Sequence, residues 1–101
     1  MKSKIKITYC SKCRWLLRSA WMAQELLTTF QDELDEVSLA PGKSGIFEIS
    51  VNNEIVWTFK EMRKFPEIKE LKQIVRNKVA PGKTLGHSDT NTLPEGDSCP
   101  V

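Results

Sequence analysis

Histidine is almost missing from this chain: His87 is the only one. A single imidazole in a Gly-Ser-Asp setting leaves no Ser/His/Asp or Cys/His arrangement to argue for, and it reads as a solvated tail residue. Charge of one sign is also missing. Fifteen Lys and Arg against thirteen Asp and Glu leave a formal +2, and the basic residues are interspersed with acids, so neither nucleic acid nor a membrane surface is implied. No apolar run approaches bilayer length. The start, Met1-Lys-Ser-Lys-Ile-Lys-Ile, has basic residues without the apolar segment of a secretion signal, so a soluble cytoplasmic protein is expected. Cysteine is scarce and odd in number. Of three, Cys10 and Cys13 form one CxxC and Cys99 stands alone near the far end, which is not the even framework of a secreted disulfide scaffold. Structural zinc wants four ligands, and beyond the pair only His87 and Cys99 are of the right kind, so no metal is expected. No glycine pattern forms a phosphate loop, and no internal repeat is evident.

What is present is enough for one small core. The 101 residues are 40% apolar and 28% charged, an ordinary globular composition in a chain too short for two cores. Lys4 to Tyr9 alternates Ile5 and Ile7 with polar neighbours, which predicts a strand. Cys10-Ser-Lys-Cys13 follows. From Arg14 to about Asp35 there is no Gly or Pro, and Cys13, Leu16, Ala20, Ala23, Leu27, Phe30 and Leu34 recur at steps of three and four, the stripe of a helix of about six turns. Trp15, Leu17, Trp21, Met22 and Leu26 widen the apolar surface beyond one stripe. Val37 and Leu39 predict a short second strand that stops at a turn over Pro41 to Gly45. Phe47, Ile49 and Val51, then Asn52-Asn53, then Ile55, Trp57 and Phe59 predict a hairpin with its inward faces set by parity. Pro66 suits the first turn of a second helix, whose inward face is Ile68, Leu71, Ile74, Val75 and Val79, ending near Ala80-Pro81-Gly82. The expected organisation is a domain over residues 1–86 and a flexible polar tail over 87–101.

The order is thus βαβββα. A strand–helix–strand unit favours parallel pairing with a right-handed crossover, while the Asn-Asn hairpin is antiparallel. A mixed four-stranded sheet with two helices follows: an α/β (α+β) fold of the thioredoxin-like kind, with CxxC at the end of the first strand.

A thiol pair at a strand-to-helix junction is the sequence form of a dithiol/disulfide site. Positions three apart on a helix are about 5 Å apart at Cα, within disulfide range. Lys12 and Arg14 flank Cys13, and free N–H groups at the helix start favour thiolate, so at least one thiol is expected below the free value of about 8.5. The plainer readings are a zinc knuckle or two inert buried thiols. Trp57 and Phe59 read first as core residues. Trp15, directly after the pair, reads either as core or as an apolar contact for a partner. Pro41, Gly42, Ser44 and Gly45 are first turn residues. Cys99 reads as a free exposed thiol that a long tail could return to the pair.

Tyr9-Cys10-Ser-Lys-Cys13-Arg14-Trp15, Gly45-Ile-Phe47-Glu48-Ile and Phe65-Pro66-Glu-Ile-Lys-Glu-Leu, in this order, resemble the selenoprotein W/T/H-type (Rdx) family in its cysteine-containing prokaryotic branch. The resemblance runs from Lys4 to Asp89. It implies a thioredoxin-like fold and a thiol redox role, with protein thiols or glutathione as partners and no bound cofactor. Selenium-containing relatives place selenocysteine at the position of Cys13, so the resemblance puts attack at Cys13 and resolution at Cys10. The residues by themselves leave that order open: the thioredoxin precedent favours Cys10 and the charged neighbours favour Cys13. Lys12 and Arg14 would hold thiolate, while Trp15 and the loop of Pro41, Gly42, Ser44 and Gly45 would shape the approach. Sulfur at Cys13 makes a weaker nucleophile than selenium, and Ser44-Gly45 stand where thioredoxins carry a cis-proline. The expected activity is thiol–disulfide exchange on protein, glutathione or peroxide-derived oxidised thiols by a monomer or weak homodimer. The competing expectation is a redox-responsive binding module without turnover.

Overall fold

A computed structural model describes residues 2–85. His87, Cys99 and the tail expected over 87–101 lie outside the described residues. Seven elements follow in order: β1 (Ser3–Cys10), α1 (Leu16–Thr29), β2 (Leu34–Gly42), β3 (Phe47–Val51), β4 (Glu54–Thr58), the single turn α2 (Phe59–Met62) and α3 (Ile68–Val79). The strands form one sheet in the order β2-β1-β3-β4. β1 pairs with β2 in parallel and with β3 antiparallel, and β3 pairs antiparallel with β4. This is the expected mixed sheet and thioredoxin-like arrangement.

The alternation in β1 sorts its side chains between two faces. Ile5, Ile7 and Tyr9 point into the core with Ile49, Val51, Phe47 and Trp57, and meet Met22, Leu26 and Phe30 from the α1 side and Leu71 and Val75 from α3. Lys4 and Lys6 lie on the opposite, polar face and are exposed. The pairings also sort the sheet's ends. Cys10 sits opposite Gly42, Tyr9 opposite Phe47 and Glu48 opposite Thr58 at one end. Ser3 opposite Leu34 and Val51 opposite Glu54 define the other.

Several expectations are corrected. The first helix starts at Leu16, because Arg14 adopts φ +60° and breaks helical continuity after Cys13. It ends at Thr29, and Leu34 begins β2 rather than a last helical turn. Its buried face is Ser19, Met22, Ala23 and Leu26, one position round from the expected stripe, so Leu16 and Leu27 are exposed. Pro41 and Gly42 belong to β2, an edge strand on which a residue without an N–H is tolerated. The turn is Lys43 to Ile46, closed by the Ile46 N–H donating to the Lys43 carbonyl at 3.1 Å, with Gly45 at φ +80° as a type II turn requires.

The hairpin forms as expected on Asn52 and Asn53, both at positive φ. Its parity does not run through. The ladder shifts between Ile49 and Ser50, so that Ser50 faces Ile55 while Ile49 faces Trp57. The extra residue puts Trp57 in the core and leaves Ile55 exposed. Phe59 leaves the strand to begin α2, capped by the Thr58 hydroxyl, which accepts from the Glu61 N–H at 3.1 Å. Pro66 precedes the second long helix instead of lying in its first turn. Glu67 is the N-cap there, in a capping box with Glu70. The end at Ala80 matches the expectation.

Candidate functional site: a disulfide on the turn after the first strand

β1 delivers Cys10 to the end of the sheet, and residues 11–14 turn the chain before α1 begins. The turn closes with the Arg14 N–H donating to the Ser11 carbonyl at 3.4 Å. Cys10 and Cys13 are joined as a disulfide, with Cα atoms 5.4 Å apart. The separation matches the expectation, but the geometry is that of a turn and not of a first helical turn. The N–H that reaches the Cys10 sulfur, at 3.1 Å, is that of Cys13 itself. α1 follows three residues later with no acidic residue in its first turn, so its positive end faces the turn unneutralised by its own side chains.

The two cysteines differ in burial. Cys10 is 0% exposed, whereas Cys13 is half-buried. Lys12 and Arg14 are exposed on either side of Cys13. Trp15 turns away from solvent into an aromatic cluster, 5.4 Å from Phe59 and 4.9 Å edge-on to Phe65. Phe65 also meets Phe47 at 4.8 Å and Phe59 at 5.2 Å, and the Arg18 guanidinium lies 4.5 Å over its ring. Trp57 is buried and donates its Nε1–H to the Lys64 carbonyl at 3.0 Å. It is a core residue, as expected.

The other expected residues are spread along one side of the pair. Pro41 is exposed, and Gly42 is half-buried opposite Cys10. Ser44 and Gly45 are exposed and line a groove of about 470 Å³ between the 43–46 turn and α2. Phe59, Phe65 and Arg18 join the surroundings of the site without having been singled out for it. They come from three separate segments, and their meeting is set by the tertiary fold. The signal available in the sequence was Phe59 and Phe65 on either side of the charged run Lys60 to Lys64. Among the described residues no group of three His, Cys, Asp or Glu side chains converges to hold a metal, and no helix is long and apolar enough to cross a membrane.

Comparison with known proteins agrees with this arrangement. The model of the Rdx family matches residues 4–77. Two solved structures are similar over about three quarters of this chain: the selenoprotein W-related protein from Vibrio cholerae and a protein from Bordetella parapertussis. The first is 49% identical with a TM-score of 0.76, covering 77% of this chain and 98% of that one. The second is also 49% identical with a TM-score of 0.76, covering 78% of this chain and 100% of that one. No curated protein matches. With its cysteine pair in place at the end of β1, which supports a redox-related role, the chain belongs to the Rdx family.

Proposed function

We propose that the protein is a thiol–disulfide oxidoreductase in which Cys13 attacks and Cys10 resolves. The observation that carries the reading is the difference in burial: Cys13 is partly exposed, which suits it to meet a substrate, whereas Cys10 is fully buried. In the reduced protein the Cys13 thiolate attacks one sulfur of a substrate disulfide, forming a mixed disulfide and releasing the other substrate sulfur as a thiolate, which takes up a proton. Cys10, as thiolate, then attacks the Cys13 sulfur. That step forms the Cys10–Cys13 disulfide and releases the second substrate thiol. Two electrons pass to the substrate, and an external dithiol or two molecules of glutathione return them.

Lys12 and Arg14 stand where they would favour thiolate at Cys13. Protein disulfides and glutathione-mixed disulfides are the proposed substrates, glutathione the proposed co-substrate, and the reducing cytoplasm the proposed setting. Cys→Ser variants test the order. Incubated reduced with a disulfide substrate, Cys10→Ser should accumulate a stable adduct at Cys13, while Cys13→Ser should not. Stable adducts only at Cys10 would reverse the assignment.

One observation favours a second reading, a redox-responsive binding module. Leu17, 82% exposed, and Trp21, 45% exposed and one helical turn on, are large apolar side chains left open on the first turns of the helix that follows the disulfide turn. Repeated reduction of substrate with a regenerating dithiol supports the enzyme; a single stoichiometric oxidation with altered partner affinity supports the module.

A further inference from the structure

Charge pairing differs between the two ends of the sheet: at the far end acids and lysines offset one another, as Lys4 lies opposite Glu36. Asp32, Glu33, Asp35, Glu36 and Glu54 gather at the end away from the disulfide, near the starts of β2 and β4, and there Glu33 and Glu54 pair with Lys83 and Lys78. The end that carries the disulfide is basic. Lys12 and Arg14 flank Cys13, and Lys43, Lys60 and Arg63 line the groove between the 43–46 turn and α2. None of these three groove cations forms an ion pair among the described residues. The groove has an apolar base in Ile46 and Phe59, and one acid, Glu48, lies on its wall.

The groove and the redox pair share structure. Phe59 packs against Trp15, two residues past Cys13. Ile46 lies against Gly42, the strand partner of Cys10. A partner whose cysteine sits on Cys13 therefore has flanking residues within reach of the groove.

From this we infer that the Lys43–Lys60–Arg63 groove docks an acidic segment of the partner protein beside the cysteine being exchanged. The inference rests on the redox reading above for the position of that cysteine. Three cations around an apolar base suit carboxylates carried on a short peptide. The adjacent disulfide calls for a cysteine-bearing partner, which nucleic acid is not. Unpaired cations at the rim of an encounter surface raise association with acidic partners and suppress it with basic ones. The near-neutral total charge of the sequence does not reveal this cluster, because five of the thirteen acids gather at the far end and offset it in the sum.

The test separates docking from chemistry. A fluorescent peptide with Glu and Asp around a Ser in place of cysteine is titrated into the oxidised full-length protein and followed by anisotropy, beside a Lys-flanked counterpart and a short DNA duplex. The acidic peptide should bind about tenfold more tightly than the basic one at low salt. The preference should shrink as the Debye length falls from about 30 Å at 0.01 M to about 8 Å at 0.15 M ionic strength. The Lys43→Glu/Lys60→Glu/Arg63→Glu variant should lose most of the acidic preference. Equal binding of both peptides, tighter binding of the duplex, or a variant that binds the acidic peptide like the wild type would overturn the inference. The salt dependence of the unaltered protein provides the answer even if the triple variant misfolds. Turnover of a cysteine-containing acidic disulfide peptide is then measured separately. Binding without reduction would overturn the redox reading and leave the groove assignment standing, and reduction without charge preference would do the reverse.

Discussion

Cys10 and Gly42 are cross-strand partners that close the parallel ladder of β1 and β2 at the end of the sheet carrying the disulfide. A Cβ at Gly42 would lie 2.8 Å from both Thr8 Cγ2 and Ile46 Cγ2. Both methyls are on β-branched side chains with little rotamer freedom, so the strands must move apart to admit one. Gly42→Ala should therefore cost about 1–3 kcal/mol, the usual range for overpacking. Because the displaced strand partners Cys10, the rate of reduction of the Cys10–Cys13 disulfide by a small dithiol should change as well. Urea unfolding and dithiol kinetics on the same variant check both, and an unaltered midpoint would mean that the site has slack the geometry does not show.

The disulfide itself closes a loop of only four residues, Cys10 to Cys13. The loop-entropy relation gives about 2 kcal/mol of stabilisation for a ring of that size. Reduced protein should accordingly unfold at a lower urea concentration than oxidised protein. The midpoint of the Cys10→Ser/Cys13→Ser variant should not respond to reductant. Equal midpoints for the two redox forms of the wild type would indicate that the reduced turn is held by its other contacts.

Phe65 is the hub of the aromatic cluster, touching Trp15, Phe47 and Phe59 within 5.2 Å and carrying the Arg18 guanidinium on its face. Phe65→Ala removes all four contacts. For a half-buried ring a loss of about 2–3 kcal/mol is expected, somewhat below the range for fully buried phenylalanine. Trp15 loses an edge-on neighbour, so tryptophan emission should shift to the red. Phe65→Leu should recover most of the stability but not the emission. A stability loss without an emission change would place the effect away from Trp15.

How far the sequence showed these features depends on what sets each one. Alternation in Lys4 to Tyr9 and around Asn52-Asn53 is a local signal read against one buried face, and β1 and the hairpin formed as expected. The Cys10-Cys13 pair was legible for the same reason: spacing alone brings the sulfurs together. The ends of α1 were not. Arg14 has no residue-type mark of a left-handed conformation, and Leu34 fits a helical stripe equally well until its pairing with Ser3 is known. Pro41-Gly42 looks like a turn in isolation and is a strand end because β2 is an edge. Ile55 was misplaced by one extra residue in a ladder, which no parity count reveals. The groove and the aromatic cluster draw on segments about fifteen to fifty residues apart, so their composition could be read but their meeting could not.

Arg14 joins two effects at one position: an exposed charge next to Cys13 and a backbone at φ +60°. A left-handed conformation costs a non-glycine residue about 1–2 kcal/mol, part of which glycine gives back through its freer unfolded chain. Arg14→Gly should thus be more stable than Arg14→Ala by about 1 kcal/mol, because alanine keeps the strain that glycine removes. Both substitutions remove the charge. If the guanidinium favours thiolate at Cys13, alkylation of that cysteine in reduced protein at neutral pH should slow by about two- to fivefold in both variants. If the backbone instead positions the sulfur, the alanine variant should keep the wild-type rate and the glycine variant should depart from it. Site-resolved alkylation with identification of the modified cysteine distinguishes the two. Equal wild-type rates in both variants would remove Arg14 from the machinery of the site and leave Lys12 as the cation adjoining Cys13.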